Sequence, residues 1–151
     1  MQECARLTGG GVTATAQAPA GLIKILVIDD SNTIRRSAEM FLRQAGYDVI
    51  LAEDGFDALA KISDHHPRVI FVDIMMPRLD GYQTCALIKQ NPTLRSTPVI
   101  MLSSKDGIFD RARGRLAGSD RYLTKPFTRE GLIAAVTEHI NGHVAGAAVS
   151  T

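Results

Sequence analysis

Five short runs rich in β-branched residues, separated by longer stretches with helical periodicity, constrain the fold more than any other feature. In chain order the runs are KILVID, YDVILA, VIFVD, PVIMLS and RYLT, and this residue usage favours strands. Nearly continuous apolar runs such as VIFV are typical of strands that are buried on both faces of a parallel sheet. The pattern predicts an α/β fold, a doubly wound five-stranded parallel sheet flanked by five helices.

Two helices can be delimited from the sequence. The first is predicted over Asn32 to Gln44, because Ser31 can cap its N-terminus and Gly46 can end it. The last is predicted over about Arg129 to Ile140. The first helix has an apolar face at the spacing of a packed helix: Ile34, Ala38, Phe41, Leu42 and Ala45.

The length of 151 residues suits one domain with a substantial core. Residues 1–21 are rich in Gly, Ala and Thr and have almost no large apolar side chains, so we predict a flexible N-terminal tail. We expect one domain over residues 22–141 and a short C-terminal tail over residues 142–151. Too few residues follow the last helix for a second domain.

The composition argues against several classes of protein. A formal net charge of +1 provides no general basic field for nucleic acid. No run approaches the roughly 18 apolar residues of a membrane span, and the N-terminus lacks the features of an export signal. Two cysteines, Cys4 and Cys85, do not suggest a disulfide framework. We therefore expect a cytoplasmic protein that neither inserts into a membrane nor binds nucleic acid.

Three aspartates stand at predicted strand ends. Asp29 and Asp30 close the first strand and Asp73 closes the third. If the strand order is 2-1-3-4-5, these two strands are neighbours where the order reverses, and ligands bind beyond the carboxyl ends of such strands. The three carboxylates would raise one another's pKa, and Mg²⁺ suits an all-oxygen cluster of this kind. Taken singly, each aspartate is also a common helix cap or turn residue.

Polar residues also end the fourth and fifth strands. Ser103 and Ser104 close the run PVIMLSS, and Lys125 with Pro126 closes YLTKPF. The first and third strands would then supply carboxylates to one edge of the sheet, the fourth strand a hydroxyl group and the fifth an ammonium group.

On these motifs, residues 24–140 resemble the receiver domain of bacterial response regulators. VIDDS, FVDIMMPRLDG, PVIMLSSKD and YLTKPF occur in the order and spacing of that family. The resemblance implies that Asp73 accepts a phosphoryl group and that Mg²⁺ is held by Asp29, Asp30 and Asp73. It further implies that Met75 gives its backbone carbonyl to the metal.

The resemblance also implies roles for the residues at the other strand ends. Lys125 would contact the phosphoryl group, Ser103 would be the hydroxyl switch, and Tyr122 would be the aromatic residue whose side chain follows activation. The bond between Lys125 and Pro126 is a candidate for a cis peptide. Chemically, a carboxylate can attack a phosphoryl group, and catalysis then consists mainly of positioning and charge neutralisation.

Longer segments such as MMPRLDGYQTCALIK resemble single-domain regulators in chemosensory systems that control type IV pili and twitching motility. This resemblance implies a histidine kinase or phosphotransfer domain as phosphodonor. It implies an effector protein of the pilus machinery or its regulators as the partner, and a monomeric state.

A basic stretch follows the fourth strand. Residues 105–129 contain seven basic and three acidic residues, a local net charge of +4. The resemblance places the output surface here, and we assign it to Lys105, Arg111, Arg115 and Tyr122. A solvated basic helix face is the alternative interpretation.

Three other functions compete with a signalling switch. A small Mg²⁺-dependent phosphohydrolase of the haloacid dehalogenase type would need an aspartate two residues after its nucleophile, where this chain has Met75. A nucleotide-binding domain would need a glycine-rich loop after the first strand, which DDSN does not provide. A receiver that acts only as a phosphate sink or relay intermediate stays open.

Overall fold

The computed structural model describes residues 22–104 and 108–149, with side chains for residues 22–104, 112, 113 and 115–140. The predicted N-terminal tail and Lys105 lie outside the described residues, as does the side chain of Arg111. The predicted division into a tail, a domain and a second tail therefore stays a prediction.

Strands and helices alternate along the described residues. The elements are β1 (Lys24–Ile28), α1 (Asn32–Gln44), β2 (Asp48–Ala52), α2 (Gly55–His65), β3 (Val69–Asp73), α3 (Gly81–Gln90), β4 (Val99–Ser103), α4 (Ile108–Ala117), β5 (Arg121–Thr124) and α5 (Arg129–Val149). All neighbouring strands are parallel, in the order β2-β1-β3-β4-β5. The predicted fold class and strand order are confirmed.

Helix α1 begins and ends where the sequence predicted. The Ser31 hydroxyl accepts a hydrogen bond from the backbone N–H of Ile34 at 3.3 Å, which caps the first turn. Beyond the other end, Gly46 has a φ of +94°, a left-handed conformation that glycine adopts without a Cβ clash. Ala38 and Leu42 on its apolar face are fully buried.

The predicted end of the last helix was wrong. Helix α5 continues past Ile140 to Val149. No proline follows Ile140 to stop the helix, and alanine, the best helix former, recurs in the segment VAGAAV. The small residues that suggested a tail are therefore compatible with further helical turns.

The sheet is buried on both faces, because every position of β3 and β4 is buried. Successive side chains of a strand point to opposite faces, so two core layers form. One layer lies under α2 and α3 and includes Ile62 and Ile88. The other lies under α1 and α5 and includes Phe71, Leu42 and Leu132. Helices on both faces leave the strand ends as the place for functional groups.

None of the helices in residues 22–104 and 108–149 is long and apolar enough to cross a membrane.

Candidate functional site

The three predicted metal-binding aspartates converge at the carboxyl ends of β1 and β3. The two strands are neighbours, and Ile28 lies opposite Val72 in their register. One carboxylate oxygen from each of Asp29, Asp30 and Asp73 lies within 4.8 Å of the others. The predicted convergence is confirmed, and it follows from the strand order.

The three carboxylates differ in their exposure. Asp29 and Asp73 are buried, with exposed fractions of 0% and 3%, whereas Asp30 faces solvent. The backbone N–H of Ser31 donates to Asp29 Oδ1 at 2.9 Å, and the N–H of Met75 donates to Asp73 Oδ1 at 3.4 Å. These bonds orient the buried pair, and Asp30 forms the solvent-facing side of the cluster.

Lys125 places its ammonium group between the two buried carboxylates. Its Nζ donates to Asp29 Oδ2 and to Asp73 Oδ1, each at 3.1 Å. The backbone holds this lysine at the end of β5, because its N–H donates to the carbonyl of Ser103 at 2.6 Å. The peptide bond between Lys125 and Pro126 is cis, as the sequence motif suggested.

Burial and charge shift the pKa values of both partners. Burial and, to a smaller extent, the neighbouring Asp29 charge raise the pKa of Asp73 to about 6, although Lys125 opposes the shift. Burial alone would lower the pKa of Lys125, but the two carboxylates outweigh that effect and raise the pKa above its usual value. The ammonium group therefore stays charged at neutral pH.

The donor set fits a hard divalent cation. Three carboxylates face one ammonium group, which leaves an excess of negative charge in a largely buried space. Carboxylate and carbonyl oxygens are the ligands that Mg²⁺ prefers. Asp29, Asp30 and Asp73, together with the backbone carbonyl of Met75, are the groups that would hold it.

The predicted switch residues lie on β4, which pairs with β3, and on β5, which pairs with β4. Ser103 ends β4 with an exposed fraction of 3%, and it lies opposite Thr124 of β5. Tyr122 lies in the middle of β5, opposite Met101, and packs against the core layer under α2 and α3. The structure places the hydroxyl beside β3, the strand of Asp73, and the aromatic ring one strand further out.

Only part of the predicted output surface is brought together within the described side chains. Arg115 is exposed on α4. With Tyr122 and Arg121 it lines a surface cavity of about 440 Å³ between α4 and β5. Leu116, the next residue on α4, has an exposed fraction of 88%. Cationic and apolar groups thus lie side by side on this face.

Gly81 is a site residue that the sequence reasoning missed. A Cβ added to Gly81 would lie 2.5 Å from the backbone oxygen of Asp73 and 2.7 Å from Cα of Ile74. Its N–H donates to the carbonyl of Ile74 at 3.0 Å. Only glycine allows α3 to begin this close to the backbone of Asp73 and Ile74. The Asp-Gly pair before a helical pattern was the available signal.

Two long-range contacts also hold the loop after β3, and they were not predicted. Arg78 has a φ of +67°, and its guanidinium donates to Asp54 Oδ2 at 2.7 Å. The same group lies over the ring of Phe56, 5.2 Å from its centroid. Asp54 caps α2, so this loop is tied to the start of the neighbouring helix.

The sequence comparisons agree with this geometry. The family model described as the response regulator receiver domain matches residues 25–137. The protein PilG of Pseudomonas aeruginosa is 69% identical over 118 residues, which cover 78% of this chain and 87% of that protein. The response regulator MprA of a Mycobacterium species is 40% identical over 112 residues, covering 74% of this chain and 48% of MprA, so the match spans about half of that relative.

Solved structures show the same fold. The chemotaxis protein CheY4 of Vibrio cholerae superposes with a TM-score of 0.76 at 31% identity, covering 78% of this chain and 98% of that one. The receiver domain of the Francisella response regulator 1452 superposes with a TM-score of 0.74 at 36% identity, covering 80% of this chain and 98% of that domain. With its family model, sequence relatives and fold in agreement, the chain belongs to the response regulator receiver family.

Proposed function

We propose that this chain is a phosphorylation-dependent switch that a histidine kinase or a phosphotransfer domain phosphorylates on Asp73. The observation that carries the proposal is the pairing of buried Asp73 with Lys125 beside two further carboxylates. Receiver domains are signalling modules that generally bind Mg²⁺ and interact with kinases and effectors. The proposal assigns these general properties to particular residues of this chain.

Asp73 is the nucleophile of the proposed reaction. Its pKa of about 6 leaves the carboxylate form predominant at neutral pH. One of its oxygens attacks the phosphorus atom, a new O–P bond forms, and the bond to the leaving group breaks. Lys125 neutralises charge on the phosphoryl oxygens, because its ammonium group already lies 3.1 Å from the acceptor carboxylate. Mg²⁺, when bound by the three aspartates and the Met75 carbonyl, supplies further positive charge.

Ser103 and Tyr122 form the proposed switch. Ser103 ends the strand beside Asp73, so its hydroxyl can donate to a phosphoryl oxygen after a small movement of the β4–α4 loop. That movement opens space under α4, into which the Tyr122 ring turns. Phosphorylation of Asp73 would thereby change the shape of the surface that contains Tyr122 and Arg115.

The proposed output is binding to another protein. We assign the contact surface to Lys105, Arg111, Arg115 and Tyr122, and the partner to an effector of the type IV pilus machinery or its regulators. Support for the pilus system comes from the 69% identity to PilG together with the resemblance to pilus-control regulators. We propose that the protein is a cytoplasmic monomer, and that its catalysis is limited to its own phosphorylation and dephosphorylation.

A direct test is to incubate the protein with Mg²⁺ and acetyl phosphate and to measure its intact mass. We expect one added phosphoryl group in the wild type and none in Asp73→Asn. Wild-type protein that gains no mass, or normal labelling of Asp73→Asn, would contradict the assignment. A phosphorylated protein that binds no partner would instead favour a phosphate sink or relay intermediate.

A further inference from the structure

A cavity of about 400 Å³ opens beside the acidic cluster, on the side of the exposed metal-ligand candidate. Two carboxylates, Asp30 and Asp80, line the cavity, together with Met75, Tyr82 and Arg113. The carboxylate of Asp30 lies within 4.8 Å of those of Asp29 and Asp73. The cavity is therefore an approach to the acceptor site, and its volume is in the range of sites for small molecules.

Arg113 provides a cationic side chain at this cavity. It comes from α4, and its guanidinium carbon lies 4.3 Å from the centroid of the Tyr82 ring. Tyr82 itself is mostly buried, with an exposed fraction of 8%. A planar guanidinium stacked on a fixed ring is restrained in position while its N–H groups stay available at the edge. Arg113 is thus a positioned cation on an exposed surface.

An anionic phosphodonor meets an unfavourable field at this site. Three carboxylates outnumber the single ammonium group of Lys125, and Asp80 adds a further carboxylate to the cavity lining. A doubly negative donor is therefore repelled until the cluster is neutralised. A cation at the cavity offsets part of that repulsion and raises the local concentration of anions. Arg113 is the described basic side chain that lines this cavity.

We propose that Arg113 determines the phosphodonor preference of the acceptor site, by attracting the phosphoryl oxygens of small doubly charged acyl phosphates into this cavity. The inference rests on the proposed phosphorylation of Asp73 and adds a residue and a donor class to it. Arg95 provides a matched control, because it is an exposed arginine that lies before β4, at the end of the sheet away from the three aspartates.

The test compares rates of phosphorylation by two donors of different charge. Wild type, Arg113→Gln, Arg113→Lys and Arg95→Gln are incubated with Mg²⁺ and limiting acetyl phosphate, or with phosphoramidate, which carries less negative charge at neutral pH. For Arg113→Gln we expect a loss of about threefold or more in the second-order rate constant with acetyl phosphate at low salt. With phosphoramidate we expect a smaller loss in this rate constant, and at high salt we expect the rates of Arg113→Gln and wild type to converge. Arg113→Lys should retain part of the wild-type rate, and Arg95→Gln should react as fast as the wild type.

A second measurement needs no phosphoryl transfer. Acetylphosphonate, which cannot transfer its phosphorus group, is added to protein in excess Mg²⁺ while the ring resonances of Tyr82 are followed by NMR. We expect these resonances to shift in the wild type and much less in Arg113→Gln.

The outcomes separate this inference from the proposed function. Wild type that takes up no phosphoryl group overturns the proposed function, whereas phosphorylated wild type with an equally fast Arg113→Gln variant overturns only the role of Arg113. A loss of the same size with both donors and at every salt concentration would also overturn it, since that pattern indicates a structural effect. Tyr82 resonances that respond equally in both proteins would count against it as well.

Discussion

At the scale of single residues, the site buries two carboxylates, which is energetically unfavourable, and pairs them with one ammonium group that offsets part of the cost. Asp29 and Asp73 are almost completely buried, and Lys125 bridges them at 3.1 Å. The raised pKa of Asp73 shows that this compensation is incomplete. The buried carboxylates of this site therefore reduce the stability of the protein when no ligand is bound.

Replacing Asp73, the proposed acceptor, should stabilise the metal-free fold at neutral pH. Because the folded-state pKa of Asp73 is raised to about 6, the folded protein binds the proton more tightly than the unfolded chain, and stability falls as pH rises from about 4 to 6. We expect Asp73→Asn to raise the free energy of unfolding by roughly 1–3 kcal/mol at pH 7.5. Denaturant unfolding without Mg²⁺ measures this effect.

The pH dependence supplies the control for this prediction. At pH 4 the wild-type carboxyl is protonated and neutral like the amide, so the two proteins should have nearly equal stability. An advantage of Asp73→Asn that persists undiminished at pH 4 would show that the raised pKa is not its cause.

Removal of the solvent-facing carboxylate should weaken metal binding. Asp30 belongs to the cluster and is its exposed member, so Asp30→Ala removes one ligand charge without opening a buried cavity. We expect the affinity for Mg²⁺ to fall by roughly tenfold or more, measured by titration calorimetry. Asp64→Ala is the matched control, since Asp64 is an exposed aspartate in the last turn of α2. Equal affinities in both variants would place the metal elsewhere.

At the scale of elements, parallel strands bring the functional groups together and the helix starts adjust to them. Helix α3 begins against the backbone of β3, and its capping box joins Asp80 and Gln83. The loop between β3 and α3 is tied to α2 through the ion pair of Arg78 with Asp54. The loop that follows the acceptor is therefore held at both ends.

The close start of α3 predicts a strong effect of a single methyl group. Gly81→Ala would place a Cβ 2.5 Å from the Asp73 backbone oxygen, and the backbone must shift to relieve the overlap. We expect a loss of about 1–3 kcal/mol in the free energy of unfolding, measured with denaturant. Gly131→Ala is the control, because its Cβ would meet only the Thr128 hydroxyl, at 3.1 Å. Equal stability of the two variants would show that α3 has room to move.

At the scale of the whole molecule, the acceptor site and the proposed output surface lie on different elements of one small domain. The acceptor lies on β3, whereas Arg115 and Tyr122 lie on α4 and β5. A signal can pass between them only if the two states of the domain differ in their affinity for a partner. Strand β4, which carries Ser103, lies between the two sites.

Charge reversal on α4 should separate phosphorylation from output. The double change Arg111→Glu with Arg115→Glu leaves the acceptor residues untouched, so labelling of Asp73 by acetyl phosphate should continue. We expect partner capture and twitching motility to be lost, because an acidic partner is then repelled. The control reverses two exposed arginines elsewhere on the surface, Arg68 and Arg95. If partner capture and twitching survive the α4 double change, the output surface lies elsewhere.

The sequence by itself determined the alternation of strands and helices and the main residues of the site. Apolar runs and helix signals are local, so β1 to β5 and the limits of α1 could be predicted from them. Strand order then placed Asp29, Asp30 and Asp73 at one edge, because the carboxyl ends of parallel strands meet there. Recognition of the family motifs added Lys125, which the structure places between two of these carboxylates.

Only the tertiary structure decided the contacts between residues that are distant in the chain. The ion pair between Arg78 and Asp54, the stacking of Arg113 on Tyr82 and the fit of Gly81 against β3 depend on how loops and helices pack. Local periodicity carries no information about such pairs. They arise from close packing, in which a separation of a few tenths of an ångström decides whether a side chain fits.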